Sequence, residues 1–311
     1  NPSVLGSTGM DTTAVLLATA LASCLGTLCM AFMANLPFAL SAGMGLNAFM
    51  AYTVVAGYGY SWQVALFAVF IEGLIFIVLS LTNIREAIFN AIPLTLKKGV
   101  SVGIGLFIAF IGLQNSGLCV DSATLVTIIS FPENFHTAGI CALLTLVGLF
   151  FTAVFYARKM KGAILYGILL TWVLGMICQV TGIYVPTPDA GFYSLFPSWG
   201  MTDFSKLGLT FGQCFNLDFG AVGIVNFIVV IFSFLFVDIF DTLGTLIGVA
   251  TKAKMLDKDG HLPGIKPALM ADSIATSAGA ILGTSTTTTF VESASGVAVG
   301  GRTGLTALVT G

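Results

Sequence analysis

Apolar runs long enough to cross a bilayer follow one another along the chain, separated by short polar stretches. A spanning helix needs roughly 20 apolar residues. On that pattern, helices are expected over Thr12–Leu36, Ser61–Leu81, Val100–Gly112 (reaching to Asn115), Ala138–Ala157, Gly162–Ile183, Ala221–Val249 and Pro267–Leu282, with a last one starting near Thr303. Two more segments are apolar but interrupted. Pro37–Gly57 reads PFALSAGMGLNAFMAYTVVAG; Gly43 and Gly45 break its first half, and a half-helix can follow from about Leu46. Gly283–Gly300 reads GTSTTTTFVESASGVAVG; the β-branched, hydroxylated run Ser285–Thr289 suits a short extended stretch, and a half-helix can follow from about Val291.

Extended backbone persists at membrane depth only where it lines a cavity or packs inside protein. A pair of interrupted segments is therefore a pointer to a midplane binding site. Each places a polar side chain near its break, Asn47 in the first and Glu292 in the second, where a half-helix turns its positive end. Taken singly, either segment could instead be a helix with packing glycines and hydroxyls bonded back to the backbone.

Composition fixes the class. The chain is 57% hydrophobic and 8% charged, against about 25% charged residues in a soluble domain. Its mean hydropathy is +1.00. An all-α polytopic membrane protein follows. Net charge is −2, with no basic stripe, so no nucleic-acid partner is expected. The six cysteines form no C-x-x-C pair and read as small hydrophobes. His136 and His261 fall in loops, and DKDG at 257–260 is a turn without later calcium ligands. No cofactor or metal is expected.

Threading the segments in order, on alternating sides, gathers Arg85, Lys97, Lys98, Arg158, Lys159, Lys161, Lys252, Lys254, Lys258, Lys266 and Arg302 on one side, leaving only Lys206 on the other. That asymmetry places residues 1–11 outside the cell. The start at Asn1 and the stop inside LTALVTG suggest a fragment truncated at both ends, with an odd number of crossings before Asn1.

The candidate chemistry lies in GIVNFIVVIFSFLFVDIFDTLGTLIGVA, residues 223–250. Asp238 and Asp241 are three apart on one helical face, which Thr242 and Thr245 extend. Neither aspartate has an Arg or Lys within a helical turn. An ionised carboxylate at bilayer depth costs at least ~2.5–3.5 kcal/mol on insertion scales and usually faces a cavity, a substrate or a proton path. This points to a transporter. Asp238, deep in its helix and without a cationic partner, is the candidate proton carrier. Asp241, nearer the inner end, and Glu292 are the other candidates for coupling. Asp272 reads as structural, and Glu72 has no assigned role.

Three strings carry a resemblance: GMGLNAF (Gly43–Phe49), VDIFDTLGTLIG (Val237–Gly248) and TSTTTTFVESASGVAVGGRTGLTA (Thr284–Ala307). They resemble the azaguanine-type purine permeases, the hypoxanthine, guanine and adenine branch of the nucleobase–ascorbate transporter superfamily. NPS at the start and GMD at Gly9–Asp11 resemble the segment after that family's first helix. The resemblance implies fourteen segments in two inverted repeats of seven, with the chain covering segment two to the start of eleven. It divides the chain into residues 1–96, core domain; 97–213, gate domain; and 214–311, the second part of the core. It implies a purine nucleobase bound by Asp238, Glu292 and Asn47, with Asp241 important for transport. Ala42 departs from the family, which usually has Pro before GMGLNA.

The expected function is import of purine nucleobases by proton symport with alternating access, across the cell's inner membrane. Phe49 and Phe290 could stack on the base or simply pack. Expected partners are purine, proton and membrane lipid, with a homodimer left open. The alternative is an anion carrier of the sulfate-transporter type, which shares the implied fold; Asp238 and Glu292 would repel its substrate. Neither a nucleophile–base pair nor a continuous polar helix face supports an enzyme or a wide pore.

Overall fold

The computed structural model describes residues 1–311 apart from 92, 123–124, 189–190, 198–199, 201, 218–222 and 258–261. Most of the turn expected at 257–260, His261 and the first residues of the Ala221–Val249 helix lie outside the described residues. The chain divides into two units, Asn1–Val102 with Thr202–Gly311, and Gly103–Met201.

In chain order the first stretch gives α1 (Pro2–Gly6), α2 (Thr12–Cys29), β1 (Leu40–Ala42), α3 (Met44–Ala48), α4 (Trp62–Leu81), α5 (Ile84–Ala91) and α6 (Leu94–Asn115). Next come β2 (Cys119–Ser122), β3 (Leu125–Ile128), α7 (Phe131–Asn134), α8 (Ile140–Ala157) and α9 (Ala163–Val180). The chain closes with α10 (Ile224–Ala253), α11 (Ile265–Leu282), β4 (Thr287–Thr289), α12 (Ser293–Ala298) and α13 (Gly304–Thr310). Among the described residues, five helices are long and apolar enough to cross a membrane: Thr12–Ala34, Trp62–Leu81, Phe131–Ala157, Ala163–Val180 and Ile224–Ala253.

Helix starts follow local chemistry. Asp11 caps α2 by accepting the Thr13 and Ala14 N–H groups, both at 2.9 Å. Ser61 caps α4 through the Val64 N–H. α6 begins earlier than the apolar run alone suggests, with Lys97 and Lys98 inside it. The short helix α5 and the β2–β3 hairpin within the 113–137 connection were not expected from the apolar pattern.

In the larger unit, α11 packs against both α2 and α4. Its small residues make this possible: Ala275 sits where a side chain on Gly26 of α2 would be, and Ser277 sits against Gly73 of α4. Two apolar clusters complete the unit. One joins α4 and α10 around Leu66, Val69, Phe76 and Phe234. The other joins α10 and α11 around Leu246, Ile247, Ala268 and Leu269.

Both interrupted segments break as the sequence predicts. β1 leads into α3, which continues as a π-helical stretch, Phe49–Gly57; β4 leads into α12. The two strands pair antiparallel, with Leu40 opposite Thr289, Ser41 opposite Thr288 and Ala42 opposite Thr287. Gly43 N–H donates to Thr286 O at 3.1 Å and Phe290 N–H to Ala39 O at 2.9 Å, extending the ladder at both ends. Side chains close the outer edges. Thr27 of α2 accepts the Leu40 N–H at 3.0 Å, and Thr276 of α11 donates to Thr287 O at 2.9 Å. With no water at bilayer depth, this is how a non-helical backbone is satisfied.

In the smaller unit α8 and α9 pair through reciprocal glycine–threonine contacts, Gly148 against Thr171 and Gly167 against Thr152. Each threonine bonds back to its own helix, Thr152 to Gly148 O and Thr171 to Gly167 O.

Candidate substrate and coupling site

The paired strands lie against the polar face of α10. Asp238, Thr242 and Thr245 are fully buried there. The Thr242 hydroxyl sits 3.2 Å from Asp238 Oδ1, 3.1 Å from Asp272 Oδ2 and 2.9 Å from the Thr288 hydroxyl on β4. Asp272, from α11, accepts the Thr289 backbone N–H at 3.0 Å and the Thr288 and Thr289 hydroxyls at 3.2 and 3.3 Å. One carboxylate thus ties α11 and α10 to the second broken segment. This is the structural part expected of Asp272.

The counter-charge is Arg85, and sequence reading missed it. Its side chain is 3% exposed, with Nη2 2.9 Å from Asp272 Oδ2 and 3.6 Å from Asp238 Oδ2. Nη1 donates to Leu269 O at 3.0 Å and Ser273 Oγ at 2.8 Å, and the guanidinium lies 4.0 Å over the Phe76 ring. The expectation that Asp238 has no cationic partner is therefore corrected. The partner comes from α5, a short helix far away in sequence, so a search within one helical turn could not reach it. Counting Arg85 as an ordinary basic loop residue also hid it. A signal was available: it is the first basic residue after a membrane helix that itself carries a buried carboxylate, Glu72.

Glu72 of α4 is the other residue left without a role. It is completely buried and accepts the Thr286 hydroxyl on Oε2 at 3.0 Å. Among the described residues, Glu72 Oε1 and Asp238 Oδ2 are buried with no hydrogen-bond partner.

Asp241 is placed differently from Asp238. It is half-buried and points at the start of α3. A methyl group on Gly43 would lie 3.3 Å from Asp241 Oδ2 and 3.0 Å from Thr288 Cγ2, a tight fit that these side chains would have to yield to. Glu292 is exposed and occupies the N-cap position of α12. Each half-helix thus begins beside a carboxylate. Among the described residues no three His, Cys, Asp or Glu side chains are grouped to hold a metal ion.

The sequence profile described as the Permease family matches residues 1–311. This chain belongs to that family. Its similarity to purine permeases runs the full length. It is 46% identical over 303 residues to the guanine/hypoxanthine permease PbuG of Bacillus subtilis (97% of this chain, 64% of that protein). It is 44% identical over 313 residues to the guanine/hypoxanthine permease PbuO of the same organism (99% and 67%). It is 40% identical over 316 residues to the adenine permease AdeP of Escherichia coli (100% and 65%). The chain spans about two thirds of the length of these relatives. Among solved structures, the transmembrane domain of the cyanobacterial bicarbonate transporter BicA superposes with a TM-score of 0.61 at 17% identity, covering 99% of this chain and 75% of that one. The permease therefore has the fold of that transporter domain, and it is an integral membrane protein.

The remaining residues singled out in the permease sequence fall into distinct settings. Asn47 of α3 is fully buried, hydrogen-bonded by the Ser285 hydroxyl. It joins the two broken segments. Phe49 packs edge-to-face on Phe234, centroids 4.9 Å apart, within the α4–α10 cluster. Phe290 lines a cavity of about 260 Å³ with Ser23, Thr27, Ser41 and Thr310. Neither Asp241 nor Glu292 lines that cavity.

Proposed function

We propose that this permease chain forms most of a secondary active transporter that imports purine nucleobases of the adenine, guanine and hypoxanthine class by proton symport with alternating access. The observation that carries the reading is Asp241 against Gly43, with Glu292 at the start of the facing half-helix. A neutral purine offers several N–H donors, and two carboxylates at the broken segments are matched acceptors. A site built to bond N–H groups also rejects analogues lacking them, because its acceptors are then left unpaired. The named substrates of PbuG, PbuO and AdeP support the same class.

On this reading Asp241 and Glu292 contact the base. Asn47 holds the crossing together through Ser285. Phe290 is the better candidate for stacking, since Phe49 is engaged by Phe234. Asp238 sits behind the contact layer and joins Asp241 and Glu292 in coupling. Residues 1–96 and 214–311 act as parts of a core domain and 97–213 as part of a gate, within two inverted repeats of seven segments. Residues 1–11 face outward across the cell's inner membrane. An anion carrier is the competing reading. Carboxylates at both half-helix starts oppose it, because they would repel the substrate.

The test is uptake by the full-length protein in cells lacking purine transport, with labelled adenine competed by guanine, hypoxanthine, xanthine, uracil, sulfate and bicarbonate. Saturable uptake that responds to a pH gradient and is blocked by purines but not by the anions is expected. Anion uptake without purine uptake would reverse the assignment.

A further inference from the structure

We propose that Glu72 carries the transported proton, and that Thr286 links its charge state to the broken segments. This inference rests on the symport reading and moves the proton itself from Asp238, Asp241 and Glu292 to a residue of α4 that no motif singled out.

Three carboxylates, Glu72, Asp238 and Asp272, are fully buried, and one guanidinium, Arg85, pairs with the last two. Arginine remains charged in proteins and can offset one of the three. Asp272 is the best served. It receives Arg85 at 2.9 Å together with the Thr289 N–H and the Thr288 and Thr289 hydroxyls. Asp238 has Arg85 at 3.6 Å and the Thr242 hydroxyl at 3.2 Å. Glu72 makes no ion pair among the described residues; it has one hydroxyl donor, and its Oε1 is bare. A bare buried carboxylate oxygen costs far more than a bare carboxylic hydroxyl. Of the three groups, Glu72 is the one that gains most from taking a proton.

Among the described side chains, the charged groups that face Glu72 come from three neighbouring helices. α5 contributes Arg85, α10 contributes Asp238 with Asp241 further along, and α11 contributes Asp272. The turn Gln213–Phe215 and the helix Phe49–Gly57, which also pack on α4, carry Cys214 and Tyr52 as their titratable side chains. Tyr52 is 58% exposed.

The position of Glu72 also gives its charge a route to the site. Its Oε2 accepts the Thr286 hydroxyl; Thr286 O accepts the Gly43 N–H at 3.1 Å; Gly43 abuts Asp241. Three contacts therefore separate Glu72 from the residue proposed to meet the purine. In the proton-loaded form one proton from external water sits on Glu72, and the cluster carries one negative charge. Release of that proton to internal water leaves the Glu72 carboxylate, which draws more strongly on the Thr286 hydroxyl and on Arg85. No other bond is made or broken.

The experiment compares two assays on the full-length protein in proteoliposomes, purine-for-purine exchange and accumulation driven by a pH gradient. Glu72→Gln should keep exchange within about threefold of wild type and lose accumulation above the equilibrium level. Glu72→Asp, which keeps an ionisable group one methylene shorter, should still accumulate purine, with its external-pH profile displaced from that of wild type. Undiminished accumulation in Glu72→Gln, or a Glu72→Asp profile that superimposes on wild type, overturns the assignment. Wild-type uptake indifferent to the pH gradient instead overturns the symport reading, and the Glu72 assignment with it. If Glu72→Gln does not yield folded protein, the Glu72→Asp profile alone decides.

Discussion

Arg85 donates to Asp272 at 2.9 Å while its guanidinium remains 3.6 Å from Asp238, so one cation from α5 serves carboxylates on two different helices. Removing one partner of a buried pair leaves an uncompensated charge and typically costs about 3–5 kcal/mol. Arg85→Met should therefore lower thermal stability of the detergent-solubilised permease by that order. Pairing it with Asp272→Asn should recover part of the loss, since the stranded charge is then removed as well. Equal stability of Arg85→Met and wild type would show that the pair contributes nothing net.

Gly43 gives the second prediction. Its missing side chain is the space into which Asp241 and Thr288 close. Gly43→Ala should push the Asp241 carboxylate by a few tenths of an ångström and crowd β4, at a cost of about 1–3 kcal/mol, the usual range for overpacking. If that strain falls on the bound state, a purine-binding assay reads it as an affinity loss of roughly fivefold or more. Gly296→Ala in α12 is the control, because nothing lies within 4 Å of its added methyl group. Equal affinities in both variants would remove Asp241 from the site.

Glu292 tests the other half-helix. Glu292→Gln keeps the shape and turns one acceptor oxygen into a donor. Purine affinity should fall by roughly 1.5–3 kcal/mol, the range for a hydrogen bond involving a charged group. Thermal stability should hardly move, because Glu292 is exposed. Unchanged affinity would remove Glu292 from the site.

Asp11 carries a pH prediction outside the spanning helices. The Ala14 N–H holds its carboxyl below the ordinary range, with further help from Lys206 at 3.3 Å, while partial desolvation works the other way. A lowered folded value means that the stabilisation is complete above the unfolded pKa of about 3.9 and is lost as pH falls through the folded value. Asp11→Asn should thus melt below wild type at neutral pH, with the gap closing under acid conditions. Added salt should narrow it too, since solvent reaches the half-buried Lys206 pair. A gap independent of pH would assign the effect to the cap geometry alone.

How far the sequence was legible depended on whether a feature was local. The breaks at Gly43 and at Ser285–Thr289 were readable because glycine spacing and a β-branched run act on their own backbone. α3 begins at Met44, two residues before the expected start, because Gly43 itself serves as its cap. The pairing of Leu40–Ala42 with Thr287–Thr289 was only implied, since register depends on neighbours distant in sequence. Arg85 and Glu72 stayed hidden for the same reason: each belongs to the site through residues on other helices. Phe49 and Asn47 were singled out as candidate contacts to the base near the break. The ring and the hydroxyl that hold them, from Phe234 and Ser285, could be found only in three dimensions.

The strand pair also has a consequence for biogenesis. Leu40–Ala42 emerges from the ribosome long before Thr287–Thr289, and at about 5–20 residues per second the wait is roughly 10–50 s. Through that interval the first break enters the membrane with its ladder partner unmade, its amides dependent on Thr27 or on bound water. The pocket cannot exist in a half-made chain. Nascent permeases should accumulate as a late intermediate in which the early helices are inserted and Leu40–Ala42 is still open. Premature termination before Thr287 would leave an unsatisfied backbone at depth, a form that membrane quality-control proteases are suited to remove.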